Sequence, residues 1–218
     1  MLKADLHLHS SYSNDSDSLP EQIIARCLQT GINCLAITDH GTIAGAVKMK
    51  EIAPFAIIVG EEVSTTTGDM IGYFLSQDVP NGITAEEAAV NIKEQGGIVC
   101  IPHPFTHFRS SAMTSDNVNI LLPYIDIIEV FNARSTFLGN TEEAKSFAQE
   151  HGFIMSAGSD AHTLNEIGSA YVEMPDFNDK NSFLQALSHG KIIGHRASLL
   201  VHLDSTKARI KKKFMTGR

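Results

Sequence analysis

The chain has 218 residues, 43% of them hydrophobic and 19% charged, which excludes an intrinsically disordered protein and suffices for one sizeable core. Residues 207–218 hold six basic side chains and no acidic one, so residues 1–206 carry a net charge of −14, which argues against binding of duplex nucleic acid. The sequence contains no run of 18 apolar residues and no apolar signal-peptide core, so we expect neither a membrane span nor a signal peptide.

The number and spacing of the cysteines indicate the cellular compartment in which the protein folds. Cys27, Cys34 and Cys100 are odd in number, and none forms a C-x-x-C pair. This pattern predicts reduced thiols that pack as small hydrophobic residues. We therefore expect a cytoplasmic protein.

Short apolar runs alternate with helical patterns along the chain. Most of the runs lack strict polar alternation, as strands buried on both faces do. Helices are predicted after Ser18 and Thr84, which begin capping-box patterns, and at residues 141–151 and 179–189. A hairpin is predicted within residues 63–75. The predicted strands are residues 2–9, 34–38, 56–61, 98–101, 125–131, 154–158 and 170–174.

This rhythm predicts an α/β fold with a parallel sheet, either open or closed. With no fixed-period repeat and no clear linker, the simplest organisation is one domain over residues 1–206. Residues 207–218 form a basic C-terminal tail.

Residues of the types that commonly bind metals (His, Asp and Glu) lie at the ends of five predicted strands. His7 and His9 lie two apart on a strand and therefore point to the same side. Taken singly, each motif also fits an ordinary surface residue or turn. Together they place titratable groups where α/β enzymes carry their chemistry. Mixed imidazole and carboxylate ligands favour Zn, Mn or Fe. The other motifs are Asp39-His40, Glu61-Glu62, Pro102-His103-Pro104 and Asp160-Ala161-His162.

In their order along the chain, these motifs resemble the PHP (polymerase and histidinol phosphatase) family. The resemblance runs from residue 4 to about residue 173 and is greatest to compact stand-alone members. It implies a distorted seven-stranded (β/α) barrel, similar to a TIM barrel, with two to three divalent metal ions. The motifs that carry it are Asp5-Leu6-His7-Leu8-His9-Ser10, Ile37-Thr38-Asp39-His40, Gly60-Glu61-Glu62, Pro102-His103-Pro104 and Gly158-Ser159-Asp160-Ala161-His162.

The resemblance also implies which residues bind metal. The family's glutamate follows the glycine by two residues, which selects Glu62 over Glu61. Where members often place a further histidine, this chain has Asn132, a weak oxygen ligand at best. The first site would use His7, His9, Glu62 and Asp160, the second Glu62 and His103, and the third Asp15, His40 and His162.

The implied activity is hydrolysis of a phosphate ester by a metal-activated water. Asp39 is expected to orient His40 or a neighbouring ligand. Arg134 is the first candidate for binding the phosphate, because a guanidinium binds phosphate through two parallel hydrogen bonds. His107 and Arg109 are the second candidates and Arg196 is the third. The substrate is expected to be a small phosphorylated metabolite, a nucleotide or a short oligonucleotide.

Two other functions stay open on the sequence alone. An amidohydrolase-like enzyme also opens with a His-x-His motif and closes with a strand-end aspartate. A metal-binding regulatory module without catalytic activity would be consistent with Asn132 at the position where many family members have a histidine. The basic tail permits either nucleic-acid binding or a helix within residues 201–214 that docks onto the barrel.

Overall fold

The structure, a computed structural model, describes residues 1–106, 109, 111–135, 138–197, 206 and 208–212. Within these residues one nine-stranded sheet is surrounded by six α-helices. The strands are β1 (Leu2–Leu8), β2 (Cys34–Ile37), β3 (Ala56–Thr65), β4 (Gly68–Tyr73), β5 (Ile98–Ile101), β6 (Ile127–Asn132), β7 (Ile154–Gly158), β8 (Ala170–Met174) and β9 (Lys191–Gly194). The helices are α1 (Pro20–Thr30), α2 (Ala44–Ile52), α3 (Ala85–Glu94), α4 (Ser115–Ile120), α5 (Leu138–His151) and α6 (Lys180–Ser188).

The strand order is β7-β6-β5-β4-β3-β2-β1-β8-β9. Strands β1 to β3 pair in parallel, as do β5 to β7, whereas β4 is antiparallel to both β3 and β5. The far end of the sheet returns to β1, where Asp160 N donates to His7 O at 2.8 Å and His9 N donates to Ala161 O at 3.0 Å. The sheet is therefore a nearly closed barrel, and strands β1, β2, β3, β5, β6 and β7 end at the same rim.

The expected strand count was wrong, because the described residues form nine strands rather than seven. The predicted hairpin is confirmed as β3 and β4, but β4 takes a full place in the barrel wall. In the described part of the chain, strand β9 is a short edge strand that pairs only with β8, and its exposed and partly exposed residues give no periodic signal. The predicted α/β class is confirmed.

Two hydrophobic layers hold these elements. Small and medium side chains such as Ala4, Leu6 and Cys100 fill the barrel interior together with Phe183 of α6. A larger outer layer packs the strands against the surrounding helices. The predicted start of α1 was wrong by one residue: Leu19 precedes the helix, and Ser18 Oγ instead donates to His162 O at 3.3 Å.

The cysteines match their prediction. All three are free and buried, and burial raises the pKa of Cys27 and Cys34 to about 12. Among the described residues, no helix combines the length and apolarity that a membrane crossing needs.

Candidate metal centre

The barrel rim brings all eight predicted ligands together. Strand β1 and the segment after it supply His7, His9 and Asp15, strand β3 supplies Glu62, and the segments after β2, β5 and β7 supply the rest. Seven of the eight side chains are buried. We divide them into an inner cluster (His7, His9, Glu62, His103 and Asp160) and an outer cluster (Asp15, His40 and His162).

The inner cluster centres on two carboxylates. Glu62 Oε2 lies 3.3 Å from His7 Nε2 and 3.2 Å from His9 Nε2, while its other oxygen lies 2.9 Å from His103 Nε2. Asp160 Oδ1 lies 3.6 Å from His7 Nε2 and 3.4 Å from His9 Nε2. The four residues predicted to share the first site therefore converge.

The outer cluster forms around Asp15, on the loop after β1. Its Oδ2 lies 3.3 Å from His162 Nε2 and 3.5 Å from His40 Nε2. The clusters adjoin, because the His9 ring centroid lies 4.6 Å from that of His40 and 4.2 Å from that of His162. The chemical groups of Asp15, His40 and His162 thus lie within reach of one ion, with His9 as a fourth candidate.

Three histidines direct the same ring nitrogen at the centre. His7 Nδ1 contacts Glu129, His9 Nδ1 lies 3.4 Å from Ser13 Oγ, and His162 Nδ1 lies 2.8 Å from the carbonyl oxygen of Asp160. Outer partners of this kind fix the tautomer and leave Nε2 available as a ligand.

The arrangement fits divalent metal ions. Bonds of 2.0–2.2 Å around a tetrahedral ion place the ligand atoms about 3.3–3.6 Å apart. The observed separations of His7 and His9 from Glu62 and Asp160 are 3.2–3.6 Å. Among the described residues, the buried Asp160 Oδ1 has no hydrogen-bond partner. Buried polar atoms are normally paired, so this oxygen is consistent with a metal ligand.

Charge around the two central carboxylates keeps them ionised. Burial alone raises the pKa of Glu62, but His7 and His40 hold it well below its usual range. Burial likewise raises the pKa of Asp160, and Arg109 and His7 outweigh that effect. Both groups are therefore anionic near neutral pH, as metal ligands must be.

Two imidazoles differ in charge. Burial lowers the pKa of His9, but the carboxylates of Asp160 and Glu62 outweigh burial and raise the pKa to about 9. Burial and the neighbouring His9 lower the pKa of His162 to about 4. Without metal, His9 therefore holds a proton at pH 7 and His162 does not.

The backbone at the rim is strained where ligands project. His103 and Asp160 have φ angles of 33° and 53°, in a region that costs side-chain-bearing residues about 1–3 kcal/mol each. Gly158 permits the close approach of β7 to β1, because a Cβ there would lie 2.3 Å from the Cβ of His7.

The residues predicted to bind phosphate differ in their exposure and in their hydrogen-bond and ion-pair partners. Arg109 Nη1 lies 2.7 Å from Asp160 Oδ2, and its side chain is 26% exposed. Arg134 is buried, with Nε 3.4 Å from Glu166 Oε1. Arg196 bonds Ser135 O and Thr141 Oγ1, neither of which belongs to a predicted ligand. His107 lies outside the described residues.

Asp39 and Asn132 each accept a hydrogen bond from a backbone N–H. The Asp39 carboxylate accepts from the N–H and the hydroxyl of Ser10, both at 2.6 Å, and so fixes the loop after His9 rather than His40. Asn132 Nδ2 donates to Asp160 Oδ2 at 3.3 Å, and its Oδ1 accepts from Arg134 N at 3.0 Å. The role of Asn132 as a weak metal ligand stays a prediction.

Comparison with known proteins identifies the family. A model of the PHP-associated region matches residues 140–192. An uncharacterised protein of Methanocaldococcus jannaschii is 33% identical over 181 residues, covering 81% of this chain and 72% of that protein. The chain belongs to the PHP family.

Solved structures share the PHP fold. A two-domain protein from Bacteroides vulgatus, containing a predicted PHP-like metal-dependent phosphoesterase, has a TM-score of 0.72 and 16% identity. That match covers 95% of this chain and 69% of the other. An amidohydrolase from Chromobacterium violaceum, with bound sulfate and no metal, has a TM-score of 0.66 and 18% identity, covering 88% and 97%. At these identities the likeness shows the fold alone.

Two features of this PHP domain were missed in the sequence. Glu129 contacts two predicted ligands, and the signal was a carboxylate between the apolar residues Ile128 and Val130 of a strand. The C-terminal arm, residues 206 and 208–212, is helical and lies against the loop after β1. Arg209 Nη2 lies 3.2 Å from Asp15 Oδ2, and Lys212 Nζ donates to carbonyl oxygens of that loop. Docking onto the barrel is thus the observed arrangement for this part of the tail.

Proposed function

We propose that the protein is a metal-dependent phosphoesterase that hydrolyses a phosphate ester with a metal-activated water. The main support is the convergence of eight imidazole and carboxylate groups at one rim, with a guanidinium beside them. Anionic carboxylates and imidazoles that present Nε2 suit Mn, Zn or Fe. A guanidinium beside such ligands suits an anionic substrate such as a phosphate ester.

The ligand sets follow the two clusters. When bound, the ions would lower the pKa of a water and neutralise charge on the phosphate. The first ion would be held by His7, His9, Glu62 and Asp160, the second by Glu62 and His103, and the third by Asp15, His40 and His162.

Protein side chains would position the substrate. Arg109 is our first candidate for the phosphate oxygens, since its guanidinium is partly exposed and lies beside the inner cluster. Arg134 is less accessible, because its side chain is only 4% exposed and faces Glu166. Asp39 would act indirectly, by fixing the Ser10 backbone and therefore the loop that follows His9.

Access to the centre suits a small substrate. A cavity of about 480 Å³, lined in part by His162, Gln22 and Asn165, opens beside the outer cluster. Sites for small organic groups commonly have volumes of about 300–1,000 Å³. A phosphorylated metabolite, a nucleotide or the end of a short oligonucleotide would fit such a space.

A phosphatase screen tests the proposal directly. The purified protein would be assayed for phosphate release over a panel of metabolites, nucleotides and short oligonucleotides, with Mn, Zn, Fe and Mg each supplied. We expect at least one phosphoester to be hydrolysed with a metal and none after chelation. Stoichiometric metal binding without release from any substrate would instead favour a regulatory module.

An amidohydrolase-like reaction is the second candidate, supported by the fold of the Chromobacterium violaceum amidohydrolase. Ammonia and phosphate release measured side by side on the same metal-loaded protein separates the two reactions. Metal-dependent ammonia release without phosphate release would replace the phosphoesterase proposal.

A further inference from the structure

Glu129 is a buried carboxylate in strand β6, and only 3% of the residue is exposed. An ionised carboxylate in such a place is costly unless hydrogen bonds compensate for the lost water. Its neighbours in the strand, Ile128 and Val130, are apolar, so hydrophobic packing alone does not explain a carboxylate at this position. The contacts of the two oxygens therefore need an explanation.

Those contacts tie together three strand ends. Oε1 lies 3.1 Å from His7 Nδ1, at the end of β1. Oε2 accepts from His103 N at 2.8 Å, after β5, and from Asn132 Nδ2 at 3.0 Å, at the end of β6. One carboxylate thus contacts a residue of each of the first two predicted metal sites without facing either site itself.

The bond to His7 decides which ring nitrogen is available. An ionised carboxylate only accepts hydrogen bonds, so His7 Nδ1 must be the protonated nitrogen. The other nitrogen, Nε2, then faces Glu62 and Asp160 at 3.3 and 3.6 Å. A carboxylate behind a metal-binding histidine fixes the ring in this way and increases its basicity.

The bond to His103 acts on the backbone. With φ at 33°, His103 occupies a region that is stable only where its surroundings hold it. The hydrogen bond from its N–H to Glu129 is one such constraint, and it aims the ring at Glu62 Oε1.

We propose that Glu129 is a positioning residue for the inner metal centre: it sets the tautomer of His7 and holds the loop of His103. This inference rests on the proposed metal site but not on the identity of the reaction. Gly158 agrees with it, because a Cβ there would lie 2.8 Å from Glu129 Oε1 and would disturb the contact with His7.

The test compares Glu129→Gln with Glu61→Gln. Glu61 is also a buried carboxylate in a strand, but it accepts from Val79 N at 2.8 Å and has no hydrogen bond to a predicted ligand. Each protein would be stripped of metal and titrated with Co²⁺, following visible absorption, and its melting temperature would be recorded. Glu129→Gln should weaken Co²⁺ binding by about 10–100-fold and alter the spectrum of the bound ion, since loss of such a partner has this typical effect. Glu61→Gln should leave both unchanged.

A second measurement does not depend on folding of the variant. In the zinc-loaded wild-type protein, ¹⁵N NMR of the imidazoles should show His7 protonated at Nδ1. Protonation at Nε2, or an unchanged Co²⁺ affinity and spectrum in a folded Glu129→Gln protein, would overturn the proposal. Absence of phosphoesterase activity alone would overturn the proposed reaction and leave the role of Glu129 standing.

Discussion

The inner and outer clusters differ in what holds them. All inner residues are buried, and most lie on the sheet or directly after a strand. Asp15 of the outer cluster lies on a loop, and the His40 side chain is 20% exposed. Behind the inner cluster stands the carboxylate of Glu129, whereas the outer cluster faces Arg209 of the C-terminal arm.

The difference shows how one barrel rim can build sites of unequal rigidity. Sheet residues are held by a hydrogen-bonded ladder, so their geometry changes only if the barrel changes. The outer cluster instead depends on a loop and on an exposed arm residue, Arg209, and exposed contacts of this kind open at low cost. We therefore expect the inner cluster to retain metal under conditions in which the outer cluster loses it.

The most severe way to break this comparison is to remove the carboxylate that joins the two clusters. Glu62 contacts His7, His9 and His103 in the inner cluster and His40 in the outer cluster. Glu62→Gln should lose inner-site metal and lower kcat/KM by about 10³-fold, equivalent to about 4 kcal/mol. Metal analysis and phosphatase assays check this. Glu61→Gln, one residue away, should retain both properties, and equal losses in the two variants would contradict it.

Asp15→Asn should have a smaller effect, confined to the outer cluster. The variant removes the anionic ligand but keeps the shape of the side chain, so one equivalent of metal should be lost while inner occupancy persists. We expect activity to fall by about 10–100-fold, the range for losing a supporting group rather than the main centre. Loss of all bound metal on elemental analysis would show that the clusters are not separable.

The pH dependence of metal affinity sharpens the contrast further. The pKa of His9 is raised to about 9 from 6.5, so its favourable charge interactions in the metal-free protein are complete below pH 6.5 and disappear as pH rises through 9. Metal requires neutral rings, and it must displace this proton and also that of His7, whose pKa Asp160 and Glu129 raise well above its usual value despite burial. Affinity should therefore rise by about 10–100-fold per unit between pH 7 and 9. His162, with a pKa of about 4, should release none.

Calorimetry of Mn²⁺ binding in buffers of different ionisation enthalpy measures the released protons. About two protons should be released by the first ion at pH 7, one from His7 and one from His9, and fewer at pH 9. Affinity and proton release that do not change with pH would show that His9 is already neutral in the metal-free protein.

The smallest expected effect concerns the arm. Arg209 is 66% exposed, and exposed ion pairs contribute about 0–1 kcal/mol, so Arg209→Ala should change stability by no more than about 1 kcal/mol. Because its guanidinium no longer competes for Asp15, outer-site affinity should rise a few-fold. Lys211→Ala, which removes a contact with Asp17 instead, is the matched control. Weaker outer-site binding in Arg209→Ala would show that the arm supports the site.

The sequence predicted the parts of this molecule that depend on local pattern. Apolar runs located seven strands, and the titratable residues after them located the rim. The pairing between strands that are distant in the sequence could not be predicted from local pattern. Strand β4 reads as half of a hairpin, and only its second partner, β5, shows that it belongs to the barrel wall.

The candidate site shows the same limit. Motif spacing identifies His7 as a ligand, but nothing near it in sequence points to Glu129, which lies 122 residues away and meets it through the barrel. Arg209 and Asp15 are 194 residues apart, and a basic tail is usually a solvated surface. Partners that approach only after the barrel closes leave no local signal.

The docked arm has a consequence for how the protein is prepared. Six residues, 213–218, would separate a hexahistidine tag fused to Arg218 from Lys212, whose ammonium contacts the loop that carries Asp15. Six residues span at most about 20 Å, so the added imidazoles could reach the rim and bind the same ions. Met1 lies at the other end of β1, with its ammonium 3.5 Å from Asp176. An affinity tag at Met1 therefore keeps foreign chelators away from the metal centre during purification.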